Sequence, residues 1–227
     1  MSDHSIRVWD GFVRLFHWLL VLVIGAAWWT AEQGGDWMDW HKRCGYALLG
    51  LVVFRVLWGF AGTAYARFRH FLYSPQRTLA YTLALLKGRE PVYLSHNPLG
   101  GWAVVVLLLW CAAQAGTGLF ANDDIMTEGP LVHLVGYDLS LDITRVHKLL
   151  FDGLLILAGL HIAAVAYHQR LRKEPLVQAM ITGRKPAHDV VDQVSGMNRA
   201  AGATGVWLRG VILAAVAAAS VWGLISL

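Results

Sequence analysis

Charged residues are scarce in this chain of 227 residues. They make up 15% of the sequence, and 56% of the residues are hydrophobic, whereas soluble globular domains contain about 25% charged residues. This deficit excludes an ordinary soluble domain. Five apolar stretches reach the roughly 20 residues that a helix needs to cross a bilayer. They lie at about 12–31, 42–61, 99–120, 146–168 and 206–226.

Cysteine is also rare, since only Cys44 and Cys111 are present. There is no Cys-x-x-Cys-His motif, which excludes covalent attachment of a c-type haem. No spacing of cysteine and histidine resembles a zinc site. Both cysteines lie inside predicted spans, where we expect them to pack as small apolar side chains. The sequence further lacks the paired intramembrane acids that transporters use.

The distribution of cations predicts the topology. Of the 19 lysines and arginines, 14 fall in residues 1–15, 62–98 and 169–209. Because lysine and arginine collect on the cytoplasmic side of a membrane, we expect a cytoplasmic N-terminus and a C-terminus on the outer side. This topology accounts for the net charge of +4 without a nucleic-acid partner, and membrane lipid is the expected surrounding.

The fold class that follows is all-α. We expect an integral membrane helical bundle, a single membrane domain with a four-helix core at about 7–186 and a fifth C-terminal transmembrane helix at about 206–226. Apolar helix formers from Thr78 to Leu86, flanked by cations, predict an amphipathic helix lying on the cytoplasmic face. Glycine and serine in 195–205 predict a flexible tether to the fifth helix.

Histidine carries the strongest functional signal, because ionisable residues inside a membrane are costly and usually functional. His17 lies in the first span, His41 opens the second, and His147 and His161 lie in the fourth. A separation of 14 residues places the last two on nearly the same helix face, about 21 Å apart along the axis. His41 matches the depth of His147, and His17 matches the depth of His161.

Two histidine pairs at two depths are what two bis-histidine b haems require. Imidazole is an axial ligand of haem iron, and two imidazoles leave no open position, which favours electron transfer over oxygen chemistry. The two levels are too far apart to share one metal ion. The alternative is a non-redox membrane protein with structural histidines, which predicts a colourless preparation.

Several motifs surround these histidines. They are Arg14-Leu15-Phe16-His17-Trp18, His41-Lys42-Arg43-Cys44-Gly45-Tyr46, His147-Lys148-Leu149-Leu150-Phe151, Gly159-Leu160-His161, His96-Asn97-Pro98-Leu99-Gly100 and Met180-Ile181-Thr182-Gly183-Arg184-Lys185. Over about residues 7–186 they resemble the bacterial cytochrome b561 family, including the related cytochrome b subunits of nickel-iron hydrogenases.

The resemblance implies that His17, His41, His147 and His161 are the haem ligands. It further implies two b haems in the bacterial inner membrane that pass electrons across it, with a quinone such as ubiquinone as one partner. The fifth helix departs from the four-helix members of the family. It leaves partner contacts, and the choice between monomer and homodimer, open.

Arg55 follows His41 by 14 residues, which places it near the depth of the cytoplasmic haem. A charge at that depth needs an anion, and arginine pairs bidentately with carboxylates such as a haem propionate. An alternative of equal weight is that the Arg55 side chain extends along the helix and places its guanidinium among the cytoplasmic headgroups. Gly45, Gly50, Gly153 and Gly159 are expected either to let helices approach closely or to make room for a macrocycle.

Four cations flank the outer ligands against the positive-inside trend: Lys42, Arg43, Arg145 and Lys148. They could neutralise propionates or form an electropositive funnel for an anionic reactant. The second interpretation fits b561 relatives that oxidise superoxide while reducing quinone. The acidic outer loops fit a third, a dock for a basic partner such as a periplasmic c-type cytochrome. An electron-transfer cytochrome and a superoxide:quinone oxidoreductase, or superoxide oxidase, are therefore both open.

Overall fold

The computed structural model describes residues 5–186, 190–192 and 203–227. Its helices and strands, in chain order, are β1 (Ser5–Arg7), α1 (Gly11–Gln33), α2 (Trp37–Ala61), α3 (Phe68–Phe71), α4 (Pro75–Leu86), α5 (Pro98–Gly118), α6 (Tyr137–Arg170), α7 (Leu176–Thr182), β2 (Arg184–Pro186) and α8 (Ala203–Ile225). Residues 195–202 of the predicted tether lie outside the described residues, and residues 203–205 already belong to α8.

In the part of the chain that the structure describes, five helices are long and apolar enough to cross a membrane: α1, α2, α5, α6 and α8. The predicted all-α membrane fold is therefore confirmed. Two helices begin earlier than predicted, because backbone hydrogen bonding continues past the apolar stretch into polar residues. Since α6 begins at Tyr137 and α2 at Trp37, His147 and His41 lie in the third and second turns of their helices and do not open them.

The predicted amphipathic helix is present as α4. Ser74 caps it by accepting a hydrogen bond from the Arg77 backbone N–H, and Pro75 occupies the first turn, where a missing N–H costs nothing. Leu79, Leu83 and Leu86 are exposed at helical spacing, which is the pattern of an apolar stripe. Its position on a membrane surface stays a prediction.

The chain forms two compact units. The first unit comprises Met1–Leu15, Val56–Val106 and Leu160–Val211, and the second comprises Phe16–Arg55, Leu107–Gly159 and Ile212–Leu227. In the first unit β1 pairs antiparallel with β2, with Ser5 opposite Pro186. Gly183 ends α7 at φ +81°, a left-handed conformation that favours glycine, and its carbonyl accepts the N–H groups of Val8 and Trp9.

Buried charged groups hold the loops of the first unit together. The Asp10 carboxylate caps α1 through the Val13 N–H and accepts hydrogen bonds from Trp58 Nε1 at 3.0 Å and Thr63 Oγ1 at 2.5 Å. The Asp192 carboxylate accepts the backbone N–H groups of Leu94 and Ser95.

Two cations complete this network. Lys185 Nζ donates to the Tyr93 carbonyl at 3.1 Å, and Arg172 Nε pairs with Glu90 Oε1 at 2.6 Å. The buried Asp10, Glu90 and Lys185 thus have polar partners, as burial requires. The network ties the connection before α5 to the segment that follows α6.

The second unit has an apolar core instead. Buried residues from α2, α5 and α6 form it, namely Leu48, Val52, Cys111, Ala115 and Leu154. Cys111 is 2% exposed, which confirms its predicted role as a small apolar packing residue. At Gly153 an added Cβ would lie 2.2 Å from the Trp110 ring, so only glycine lets that ring pack against α6.

The fifth membrane helix packs within both units. In the first, Gly210 faces the ring of Phe12 so closely that an added Cβ would lie 2.1 Å from it, and Arg209 donates to the Ala61 carbonyl at 2.7 Å. In the second, the buried Val221 lies 3.9 Å from the Cβ position of Gly50. The opposite face of α8, including Leu208 and Trp222, is exposed and suited to contact lipid.

Candidate functional site

The second unit brings two of the predicted histidines together. The rings of His41 on α2 and His147 on α6 have centroids 6.2 Å apart and planes at 90° to each other. An imidazole nitrogen bonds a transition metal at about 2 Å, so two imidazoles on opposite sides of one metal have centres about 6 Å apart. The separation of this pair therefore fits a shared metal such as haem iron.

Hydrogen bonds determine which nitrogen of each ring is available. His41 Nδ1 lies 2.8 Å from the carbonyl oxygen of Ala27 on α1, and His147 Nδ1 lies 3.0 Å from that of Gln114 on α5. A carbonyl only accepts, so both Nδ1 atoms carry the proton and each Nε2 is the acceptor atom of its ring. At His147 this lone pair accepts a hydrogen bond from the Gln114 amide nitrogen. Metal-ligating histidines usually have this arrangement, in which the partner carbonyl orients the ring and raises its basicity.

Polar residues of α5 surround His147. Thr117 Oγ1 lies 3.1 Å from Nδ1, and the buried Gln114 side chain places Nε2 3.2 Å from His147 Nε2. The Gln114 amide therefore stands beside the nitrogen that a metal would take. At Gly118 an added Cβ would lie 3.1 Å from His147 Cε1, so a glycine there lets the ring approach α5.

Sequence reasoning missed Gln114 and Thr117. The available signal was their spacing: two polar residues three positions apart lie on one face of a helix, and the rest of this span is almost wholly apolar. The Ala27 carbonyl left no comparable signal, because any residue supplies a backbone oxygen.

The other two predicted ligands are divided between the units. His17 on α1 is half-buried in the second unit, and His161 on α6 is exposed in the first. Their pairing stays a prediction. Arg55 is only 3% exposed, whereas a snorkelling guanidinium would be accessible at the headgroups. Its burial favours the alternative of an internal anion, and a haem propionate stays the predicted partner.

Two of the four glycines pack against neighbouring helices as expected, and room for a macrocycle stays a prediction for the other two. Gly50 and Gly153 lie against the side chains of neighbouring helices, whereas a Cβ added at Gly45 or Gly159 meets nothing within 4 Å. Gly45 follows His41 by one helical turn, which puts it on the same face. Space beside a metal-ligating histidine is what a macrocycle needs, so the residues around His41 and His147 fit a haem.

Most of the outer cations have local partners. Lys42 Nζ lies 3.1 Å from Asp39, Arg145 pairs with Asp142, and the Arg43 guanidinium lies 4.7 Å from the centroid of the Trp40 ring. Lys148 is exposed. These contacts weaken the positive field that an electropositive funnel needs, although all four cations stay near the His41–His147 pair in sequence.

Two further histidines, His168 and His96, contact neighbouring side chains of the first unit. His168 is 8% exposed, and its Nδ1 lies 2.9 Å from Glu174 Oε1. The ring of His96 packs beside those of Trp9 at 4.8 Å and Phe71 at 4.6 Å.

Five helices of the described residues are suited to cross a membrane, and the histidine pair has a spacing that fits a shared metal. These features define a helical membrane protein with a candidate metal-binding histidine pair. The family described as Prokaryotic cytochrome b561 matches residues 8–183. The chain is thus a member of the prokaryotic cytochrome b561 family, and the resemblance seen in its motifs is confirmed. Membership makes it a haem b-binding membrane cytochrome of electron transfer. No curated protein and no solved structure matches it.

Proposed function

We propose that this protein is a di-haem cytochrome that transfers electrons across the bacterial inner membrane, between the quinone pool and a redox partner outside. The observation that carries the proposal is the His41–His147 pair, whose separation and tautomers suit two axial ligands of one iron. His17 and His161 supply the second pair. When bound, haem supplies reversible one-electron chemistry.

The chain's own residues set the conditions for that chemistry. The Ala27 and Gln114 carbonyls hold the protons on Nδ1 and fix both rings, so that Nε2 of His41 and of His147 would bind the iron. Two histidines per iron leave no position for oxygen. Arg55 pairs with a propionate of the inner haem. The predicted topology puts the His41–His147 pair at the periplasmic side and His17 at the cytoplasmic side.

Ubiquinone is the proposed partner at the inner end. The test is to add a ubiquinol analogue to purified protein and follow haem reduction by its visible α-band. We expect the His41→Ala variant to keep fast reduction of its remaining haem, because the inner pair is intact. We expect the His17→Ala variant to lose it, with dithionite reduction of the remaining haem as the control. The reverse pattern would place the quinone at the outer end.

The second candidate function is superoxide:quinone oxidoreductase activity. The exposed Lys148 beside His147 favours it, since a cation attracts an anion, whereas the other three cations have local partners. Each superoxide would lose one electron to become oxygen, and two electrons with two protons would reduce one quinone. We expect neutralisation of Lys42, Arg43, Arg145 and Lys148 to slow haem reduction by superoxide at least tenfold. Unchanged rates of haem reduction by superoxide in those variants would reject the superoxide:quinone oxidoreductase and leave electron transfer as the only proposed function.

A further inference from the structure

The two most exposed large hydrophobic side chains of the described residues are neighbours. Met126 is 91% exposed and Ile125 is 85% exposed. Both lie between α5 and α6 rather than on a membrane span, so hydrocarbon does not cover them as it covers the exposed leucines of the helices. Exposed apolar surface of this kind usually marks an interaction site.

A well-ordered turn presents these two side chains. Asp123 Oδ1 accepts the backbone N–H groups of Ile125, Met126 and Thr127 at 3.0, 3.0 and 2.7 Å. Asn122 and Glu128 close the turn as an antiparallel bridge.

The turn is anchored to α6. Thr144 Oγ1 accepts the Asn122 N–H at 2.8 Å and donates to the Asn122 carbonyl at 3.0 Å. Tyr137 donates its hydroxyl proton to Asp124. An apolar pair held in this way is pre-organised for contact, because less conformational entropy is lost when a partner binds.

The surroundings of the turn are acidic. Asp123, Asp124 and Glu128 flank the apolar pair. Burial raises the pKa of Asp123, but the hydrogen bonds that its carboxylate accepts from backbone N–H groups outweigh burial and hold that pKa below its usual value. Residues 32–43 and 121–148, which comprise connections and adjoining helix ends, contain eight acidic side chains against four cations. The turn and Lys42 line one surface recess, so this surface adjoins His41.

We propose that the turn of residues 122–128 is the docking site for a soluble electron-transfer protein whose redox centre lies in an apolar patch rimmed by lysines and arginines. Ile125 and Met126 contact the apolar patch, and the carboxylates face the basic rim. One electron passes between the partner's redox centre and this protein, and no atom or proton is transferred. The inference rests on the proposed electron-transfer function and identifies the surface that serves it.

Charge argues for this occupant over two others. Anionic headgroups would repel the three carboxylates beside the apolar pair. A second copy of the chain would bring the same acidic surface against itself, which is unfavourable. A basic soluble protein complements the surface, and such complementarity speeds association and fixes orientation.

The test measures binding of a lysine-rich soluble c-type cytochrome to the haem-loaded full chain in lipid nanodiscs. We expect Ile125→Ser/Met126→Ser to raise Kd at least tenfold. The matched control is Leu134→Ser, a 59% exposed leucine of the same connection, which we expect to stay within twofold of the unsubstituted protein. Glu128→Lys should also weaken binding, with the largest effect at low salt, where the Debye length is about 30 Å at 0.01 M against about 8 Å at 0.15 M.

A labelled variant distinguishes the other occupants. A polarity-sensitive dye on Met126→Cys should shift to the blue only when the cytochrome is added, with labelled unsubstituted protein correcting for Cys44 and Cys111. A blue shift in nanodiscs alone would mean that lipid covers the turn, and a shift that grows with protein concentration would mean a second copy. Either result overturns the proposal.

Two further outcomes overturn it: no binding of the basic cytochrome to the unsubstituted protein at low salt, or equal binding by the double serine variant. Failure of the underlying function looks different, because the protein would then lack haem or resist reduction by a small uncharged reductant. Normal haem content and normal small-reductant kinetics with unaltered cytochrome binding would reject the docking surface alone.

Discussion

The two units bury polar groups for different purposes. In the first unit the buried charges have polar partners within the protein: Glu90 pairs with Arg172, and Lys185 donates to the Tyr93 carbonyl. In the second unit His41 and His147 are half-buried, and their Nδ1 atoms donate to backbone carbonyls, so Nε2 is the ring atom suited to bind a metal. Burial of an ionisable group therefore does not by itself mark a functional site. A buried group with a ligating atom left available does.

The largest effect is expected from removing one ligand of the second unit. If His147 holds the outer haem as proposed, His147→Ala removes one of its two ligands, so haem content should fall from two per chain to one. His133→Ala, which removes an exposed histidine of the adjoining connection, is the matched control and should keep both haems. Pyridine haemochrome assay per chain measures the difference. Two haems in both variants would remove His147 from the site.

Breaking the buried ion pair of the first unit should cost about 3 kcal/mol, because Arg172→Met leaves the Glu90 carboxylate buried and uncompensated. The Glu90 side chain is only 2% exposed. Thermal unfolding in detergent should register the loss, and Glu90→Gln in the same chain should recover much of it. Arg145→Met breaks an exposed pair and should cost less than about 1 kcal/mol. Equal losses in the two single variants would contradict the contrast between buried and exposed pairs.

Filling the close contact of the second unit should cost about 2 kcal/mol, a typical overpacking penalty. In Gly153→Ala the new methyl group would meet the Trp110 ring and weaken the 2.7 Å hydrogen bond from Trp110 Nε1 to the Leu150 carbonyl. Gly223→Ala on α8 meets nothing within 4 Å and should be neutral or slightly stabilising. The unfolding midpoints of the two variants measure the difference, and equal midpoints would argue against close packing at Gly153.

The smallest effect concerns pH and the first unit. Burial lowers the pKa of Lys185, although Glu174 and Asp192 oppose the shift. The folded protein thus binds this proton less tightly than the unfolded chain, so the free energy of unfolding should rise with pH between the lowered pKa and the ordinary value of 10.5. The rise should be present in the unsubstituted protein as pH approaches 10.5 from below and absent in Lys185→Met. The same slope in both proteins would assign the rise to other groups.

Much of this architecture could be predicted from the sequence, because membrane spans are recognised by their length and apolar composition. The depth matching of His41 with His147 followed from spans and helix geometry alone. The β1–β2 pairing could not be foreseen, since Ser5 and Pro186 lie far apart in sequence and each strand has only three residues. The early start of α6 was missed because hydropathy marks where apolar residues begin, whereas a helix begins where its backbone hydrogen bonds do.

The site was predicted less completely than the fold. Its ligands could be named because histidine is rare and costly inside a membrane. The groups that set their tautomers are backbone carbonyls and a glutamine, and only tertiary packing brings them to the rings. The environment of the outer cations was also predicted incompletely. Their charges alone suggest an electropositive funnel, but Lys42 pairs with Asp39 and Arg145 pairs with Asp142.

The most direct test of the central claim is a dithionite-reduced minus oxidised visible spectrum of the detergent-purified protein, with haem quantified per chain. The account predicts two non-covalent b haems per chain with sharp low-spin bands, as two bis-histidine sites require. One haem would show that one of the two histidine pairs is wrong. A preparation without haem, after expression with an adequate haem supply, would contradict the account and leave the histidines with a structural role.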